Sequence, residues 1–376
     1  MKSTVILSFI VVLSKAGSLW AATAQPNSGK SSLRMVLILF RHGARSPIIT
    51  YPTDPYANYP WKGGLGELQQ KGIEQLFALG QNMRKRYYHF IPKHIGGMKR
   101  KIYAVSSCAP RCILSAQSFL TGFVQTSNSS AVLKQPVPLN ILLPEQDKLL
   151  LQNKTCPKDK LQRQELLVHP TPEFERWVRE GKVLMDYVSK KIGSPIDRFY
   201  DLGITLDTLE TLHVLGLKLP SWSEGLFPRK ARTFMMMFMK SFTGTQELKH
   251  IRGGSLLAEF VTRMKDKRDG FARKNQNIMI YSGHDLTQVS LLNSMEMREH
   301  LVKRPECGSA IVFELHQNKM FRNDLEVRMY RFRQPADRNP MKMVIPNCPA
   351  PCSLNQFESA FKHLLLYDFE EACMSL

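Results

Sequence analysis

Three stretches of this chain share one grammar: a short apolar or β-branched run, a polar loop, then apolar residues at helical spacing. Val36–Phe40 leads into Arg41-His42-Gly43, Lys101–Ser107 into Cys108–Leu120, and Ile278–Gly283 into His284-Asp285. Apolar runs of this length bounded by polar turns read as buried strands, and strands that alternate with helices build an α/β sheet. Two helices follow from periodicity. Leu65, Leu68, Gly72, Leu76, Leu79, Met83 and Tyr87 recur at steps of three and four, and Ile113, Ala116, Leu120 and Phe123 repeat the pattern after Pro110.

From about Gln135 to Lys249 the pattern changes to helical stripes and prolines with few strand candidates. This predicts a helical insertion, 135–249, on a sheet domain made of 31–134 and 250–376. The run FMMMFMK (Phe234–Lys240) falls in the insertion. It predicts a buried helix rather than a lipid or partner face, because thioethers fill irregular core gaps.

A hydrophobic content of 43% and a charged content of 22% over 376 residues suit a globular protein with a large core. Lys2, the apolar run Val5–Leu13 and the small residues Ala21–Ala24 predict a signal peptide over 1–24. A membrane anchor needs about 20 apolar residues, and Lys15 interrupts the run before that. The chain is therefore expected to be soluble and exported, with no transmembrane segment. Asn128-Ser129-Ser130 and Asn153-Lys154-Thr155 are glycosylation triplets consistent with that route.

Seven cysteines, Cys108, Cys112, Cys156, Cys307, Cys348, Cys352 and Cys373, are an odd number, so in an oxidising compartment most pair and at least one is left over. Zinc is not expected, since Cys348 and Cys352 lack a second Cys or His pair. The formal charge is +20, and without Lys2 and Lys15 it is +18. Basic clusters such as Arg84-Lys85-Arg86 and Lys99-Arg100-Lys101 read as a solvated face. No nucleic-acid fold motif accompanies them, and no nucleic-acid partner is expected.

Ligands of open α/β sheets collect beyond the carboxyl ends of the strands. The three strand ends would deliver Arg41, His42, Arg45, Arg111, His284 and Asp285 to one place. Three planar guanidinium forks suit a tetrahedral dianion such as phosphate. A neutral His42 among them can attack phosphorus, and neighbouring cations keep it unprotonated. Asp285 can protonate the leaving oxygen, and a carboxyl facing a phosphate dianion should have a raised pKa. Neither a metal nor another cofactor is needed.

The motifs RHGARSP (Arg41–Pro47), PTDP (Pro52–Pro55), GLGELQQKGIEQLFALGQNMRKRY (Gly64–Tyr87), RCILSAQSFLTG (Arg111–Gly122), LPSW (Leu219–Trp222), SGHD (Ser282–Asp285) and PNCPAPC (Pro346–Cys352), with the glycines and leucines of Gly253–Leu257, resemble the histidine acid phosphatases of the prostatic and lysosomal branch. The resemblance runs over nearly the whole mature chain. It implies a central mostly parallel sheet with helices on both faces and a smaller, mostly helical inserted domain. It implies His42 as the residue that becomes phosphohistidine, Arg41, Arg45, Arg111 and His284 as phosphate ligands, and Asp285 as proton donor. It also implies the pairs Cys348–Cys352 and Cys156–Cys373, and commonly a homodimer. Cys307 falls at a bridged position whose partner is replaced by Thr211, so that bridge should be missing. Pro110 and Leu286 stand where Asp and Thr are frequent, which bears on substrate range and rate.

The leading reading is a secreted or lysosomal acid phosphatase acting on small phosphate monoesters. An inositol-polyphosphate phosphatase and a phosphoglycerate-mutase-like transferase are enzymatic alternatives. A non-catalytic secreted binding protein that retains the phosphate pocket is the alternative of another class.

Overall fold

Residues that alternate along one strand feed two separate cores. In β1 (Leu33–Arg41), Met35, Leu37 and Leu39 enter one apolar cluster, while Val36, Ile38 and Phe40 enter a second. Successive strand side chains point to opposite faces of a sheet, so a strand apolar at every position must be covered on both sides. The computed structural model describes residues 32–92, 97, 100–124, 137–151, 156–271 and 276–374. The signal segment 1–24, Asn128 and Asn153 lie outside them.

β1 joins β2 (Ile102–Ser107), β3 (Leu139–Leu142), β4 (Ile278–Gly283), β5 (Ala310–Gln317), β6 (Leu325–Phe332) and β7 (Met341–Met343) in one seven-stranded sheet of order β3-β2-β4-β1-β5-β6-β7. The first four in that order pair in parallel, and from β1 outward to β7 every pairing is antiparallel. The short edge strand β3 lies within the region read from sequence as helical from Gln135. Its four residues follow two prolines and carry no long apolar run that would have marked them.

Helices α1 (Gln70–Arg86) and α2 (Pro110–Val124) cover one face. Leu76, Leu79, Met83, Ala116, Phe119 and Phe123 pack there on Val36, Ile38 and Phe40. The expected stripe is present, but Leu65 precedes the helix and is exposed. Pro110 is the first residue of α2, where its missing N–H costs nothing and its fixed φ suits the turn.

Between β3 and β4 run α3 (Pro157–Val168), α4 (Pro172–Ile192), α5 (Phe199–Leu215), α6 (Arg229–Ser241), α7 (Gln246–Lys249), a π turn (His250–Gly254) and α8 (Ser255–Asp269). Phe260 and Val261 of α8, and Leu291 and Leu292 of α9 (Asp285–Ser294), share a cluster with Leu37, Leu39 and Phe313 of the sheet. Trp177, Leu206, Phe234 and Met239 belong to that same cluster. The methionine-rich α6 buries Phe234, Met235, Met236 and Met239, as its composition predicts.

Two sulfur pairs lie at bonding distance, Cys156–Cys373 and Cys348–Cys352. Cys108, Cys112 and Cys307 are free. Among the described residues no helix is long and apolar enough to cross a membrane.

The close approach of α1 to α2 depends on glycine. A Cβ at Gly80 would stand 2.1 Å from the Phe119 carbonyl oxygen, and one at Gly122 would stand 2.1 Å from that of Phe77. These obstacles are backbone, so the helices themselves must separate to admit a methyl group. Overpacking of this kind typically costs about 1–3 kcal/mol. Gly80→Ala should therefore lower the melting temperature. An unchanged melting curve would show that the helices part freely.

Candidate active site

The carboxyl ends of β2, β4 and β1 lie side by side, with Arg41 opposite Gly283 and Ser106 opposite Ser282. The next residues of each strand therefore emerge together, and this brings His42, Arg111, His284 and Asp285 to one end of the sheet. The turn after β1 is pinned to α1. A Cβ on Gly43 would meet the Gly72 carbonyl oxygen at 2.4 Å, and one on Gly72 would meet the Ala44 carbonyl oxygen at 2.2 Å. The glycine after His42 is thus a matter of space.

His42 is buried, and its Nδ1 lies 2.8 Å from the Gly43 carbonyl oxygen. A carbonyl only accepts, so Nδ1 carries the proton and Nε2 keeps its lone pair. Burial first, then the charges of Arg111 and Arg41, hold the imidazole well below its ordinary pKa. Both influences favour the neutral ring, whose Nε2 lone pair is the nucleophilic one. His284 sits edge-on to it, with ring centroids 5.6 Å apart. Burial and then Arg111 bring His284 down to about 3. Its Nε2 lies 3.4 Å from the Ser107 hydroxyl and 3.6 Å from the Cys112 sulfur.

The arginines and carboxylates form a ladder of alternating charge. Arg41 Nη2 lies 3.0 Å from Asp285 Oδ2. Arg304 donates to that same oxygen through Nε at 2.8 Å and Nη2 at 2.5 Å, and its Nη2 is 2.6 Å from Asp207 Oδ1. Arg45 Nη2 closes the ladder on Asp207 Oδ2 at 2.5 Å. Burial opposes ionisation of Asp207, but Arg45 and Arg304 outweigh it and bring the carboxyl down to about 2. Burial likewise opposes Asp285, yet Arg304 and Arg41 hold it well below the usual carboxylate range. The sequence predicts a raised pKa for Asp285 opposite a phosphate dianion. Within the protein itself Arg304 and Arg41 act on the carboxyl in the opposite direction.

Four guanidiniums, Arg41, Arg45, Arg111 and Arg304, face two carboxylates, which leaves two positive charges uncompensated at this end of the cavity. The Nε–H groups of Arg41, Arg45 and Arg111 are buried without a hydrogen-bond partner among the described residues. Unpaired buried donors are costly, and three of them on cations constitute an anion site. Among the described residues no cluster of His, Cys, Asp and Glu could hold a metal ion.

His42, Arg45, Arg111, Asp207, Asp285 and Arg304 line the inner end of a cavity of about 590 Å³. The rest of its wall mixes aromatic and sulfur-bearing side chains (Trp177, Phe199, Phe238 and Met239, contributed by α4, α5 and α6) with charged ones such as Lys160, Arg163 and Arg198. Leu286 lines it too, and its backbone N–H donates to Asp285 Oδ1 at 2.8 Å. Thr211, where the resemblance implies a cysteine, accepts from Arg45 Nη1 at 3.4 Å.

Each catalytic and phosphate-binding residue expected from sequence falls in or beside this cluster, with Arg41 reaching it through Asp285. Arg304 and Asp207 were missed. Asp207 left a faint signal as a lone acid within the apolar helix GITLDTL, and Arg304, in the charged coil Lys303–Glu306, left none.

Residues 32–187 match the family model described as the histidine phosphatase superfamily (branch 2). Over that stretch the chain is similar to that superfamily. It is 29% identical over 360 residues to lysosomal acid phosphatase of Homo sapiens, covering 93% of this chain and 82% of that protein. Against prostatic acid phosphatase of Homo sapiens it is 28% identical over 352 residues, covering 91% and 88%. Among solved structures, the phytase from Citrobacter braakii matches with a TM-score of 0.64 at 14% identity, covering 92% of this chain and 100% of that one. Hafnia alvei phytase in complex with myo-inositol hexakis sulphate matches with a TM-score of 0.62 at 14% identity, covering 92% and 99%. At such identities these two likenesses are in the fold.

The free thiols should differ in reactivity. Burial pushes Cys112 up to about 12, and Cys307 is buried, whereas Cys108 is half-buried. Because the thiolate is the reactive form, alkylation of the native protein should label Cys108 first and spare Cys112. Peptide mapping by mass spectrometry reads this directly, and early label on Cys112 would contradict the burial described here.

Proposed function

We propose that this chain is an acid phosphatase that hydrolyses phosphate monoesters through a phosphohistidine at His42. The observation that carries the reading is the neutral His42 with its Nδ1 proton fixed on Gly43, set among arginines whose buried donors lack acceptors. The Nε2 lone pair attacks phosphorus, and the bond from phosphorus to the leaving oxygen breaks with its electron pair going to that oxygen. Asp285, entering the step protonated, gives the leaving oxygen its proton. The Nδ1–H bond to Gly43 then supports the positive charge of the phosphorylated ring. In the second half Asp285, now a carboxylate, takes a proton from water as the water oxygen attacks phosphorus. The N–P bond breaks, and its electron pair returns to Nε2.

Arg41, Arg45, Arg111 and His284 hold the phosphoryl oxygens in this reading, and helices of 135–249 act as a cap whose side chains face the leaving group. The paired cysteines favour an oxidising compartment, outside the cell or in the lysosomal lumen. Lys160, Arg163 and Arg198 at the outer cavity favour a second reading, hydrolysis of inositol polyphosphates. Two of them are committed elsewhere, Arg163 to Asp159 and Arg198 to Asp201, and the aromatic wall between suits an apolar leaving group better. Phosphate release from nitrophenyl phosphate and from inositol hexakisphosphate, compared at acid pH, separates the two. Release from neither would leave a binding protein.

His42→Ala should abolish turnover while leaving a folded protein. Acid quench of the unaltered enzyme with labelled substrate should place phosphate on His42, and label on a serine or aspartate would overturn the mechanism. Asp285→Asn should lose general-acid assistance, typically about 10²–10⁴-fold. The deficit should shrink for nitrophenyl phosphate, whose leaving group needs little protonation. Equal loss on nitrophenyl and alkyl esters would assign Asp285 another role.

A further inference from the structure

Arg304 lies outside all three strand-end motifs, yet it touches both carboxylates of the site. Its loop is fastened to the turn that carries His42. The Arg41 backbone N–H donates to Ser309 O at 3.0 Å, and Gly308 N–H donates to His42 O at 3.3 Å. The neighbouring Pro305 carbonyl accepts from Arg41 Nη1 at 2.6 Å. Arg304 therefore cannot move without disturbing the residues beside the nucleophile. Its side chain is almost fully buried, and it pairs with the carboxylates of Asp207 and Asp285.

We propose that Arg304 is a positioning residue for the reaction, holding Asp285 beside His42 and, through Asp207, fixing the aim of Arg45. This rests on the reading of Asp285 as proton donor. Asp285 is faced by Arg41 and His42 at the end of β1, by Arg111 and Cys112 at the start of α2, by His284 beside it, by Asp207 of α5 and by Arg304. Arg304 meets Asp285 Oδ2 through two nitrogens, Nε and Nη2. An opposite charge within about 4–6 Å favours the ionised carboxylate by about 1–3 pH units. Arg304 thus makes Asp285 a stronger acid, which holds its proton only at low pH. A donor of that kind works best in an acidic compartment.

The sign follows from the role. The donor must carry its proton, so turnover falls as pH rises through its pKa. Removing a neighbouring cation raises that pKa and moves the fall to higher pH.

The test is the pH profile of kcat on glycerol 2-phosphate for the full-length protein and for Arg304→Gln and Arg304→Lys. The alkaline limb of Arg304→Gln should move up by about one unit or more, and that of Arg304→Lys should stay nearer the parent's. Should Arg304→Gln fail to fold, Asp207→Asn keeps every cation and frees Arg304 for Asp285 alone. Its limb should move down, and an upward shift or none would overturn the proposal. A limb in Arg304→Gln that coincides with the parent's would overturn it as well, if Asp285→Asn still discriminates alkyl from nitrophenyl esters. If Asp285→Asn loses equally on both, the donor assignment itself fails and the proposal falls with it.

Discussion

Like charges crowd the end of this sheet, and two carboxylates make that crowding tolerable. Arg41, Arg45 and Arg304 are each tied to Asp285, Asp207 or both, and Arg111 stands nearby. A buried guanidinium without a counter-charge is strongly unfavourable, and a buried pair is stable only when geometry and hydrogen bonds are good. The ladder meets that condition and still leaves a surplus of positive charge. That surplus matches the dianion of a phosphate monoester, so in the proposed function the substrate completes the electrostatics. Burial and, after it, the same field favour the neutral form of both imidazoles, and only a neutral His42 has a lone pair to give.

How much of this was legible in the sequence depended on whether a residue's role is local. Arg41, His42, His284 and Asp285 follow strands whose apolar runs are plain, and Arg111 opens a helix announced by Pro110. Parallel strands align their ends, so local position was enough to bring these residues together. Arg304 and Asp207 meet because a coil before β5 and helix α5 come together, and no periodicity records that approach. β3 was lost for a related reason. A four-residue edge strand is stabilised by pairing to β2 rather than by its own pattern. Thr211 shows the converse, a departure plain in the sequence whose contact with Arg45 appears only in the structure.

The acidity of Asp285 is the point at which sequence reasoning and structure part. Reasoning from the sequence set one carboxyl against one phosphate and expected the pKa to rise. The folded protein sets that carboxyl against two guanidiniums first. Both effects act in the proposed cycle, since Arg41 is shared between Asp285 and the phosphate it would bind. A donor released from part of its ion pairing by the arrival of substrate is a stronger base when substrate is present than when it is absent.

The two faces of the sheet are built with different tolerances. On one side α1 and α2 touch backbone to backbone at Gly80 and Gly122, and the turn of His42 touches α1 at Gly43 and Gly72. Side chains there have almost no room to vary. On the other side Phe199, Phe238 and Met239 contribute side chains, not backbone contacts, to the wall of the outer cavity. In the proposed function the phosphate therefore meets residues fixed by backbone contact, and the leaving group meets a wall made of side chains.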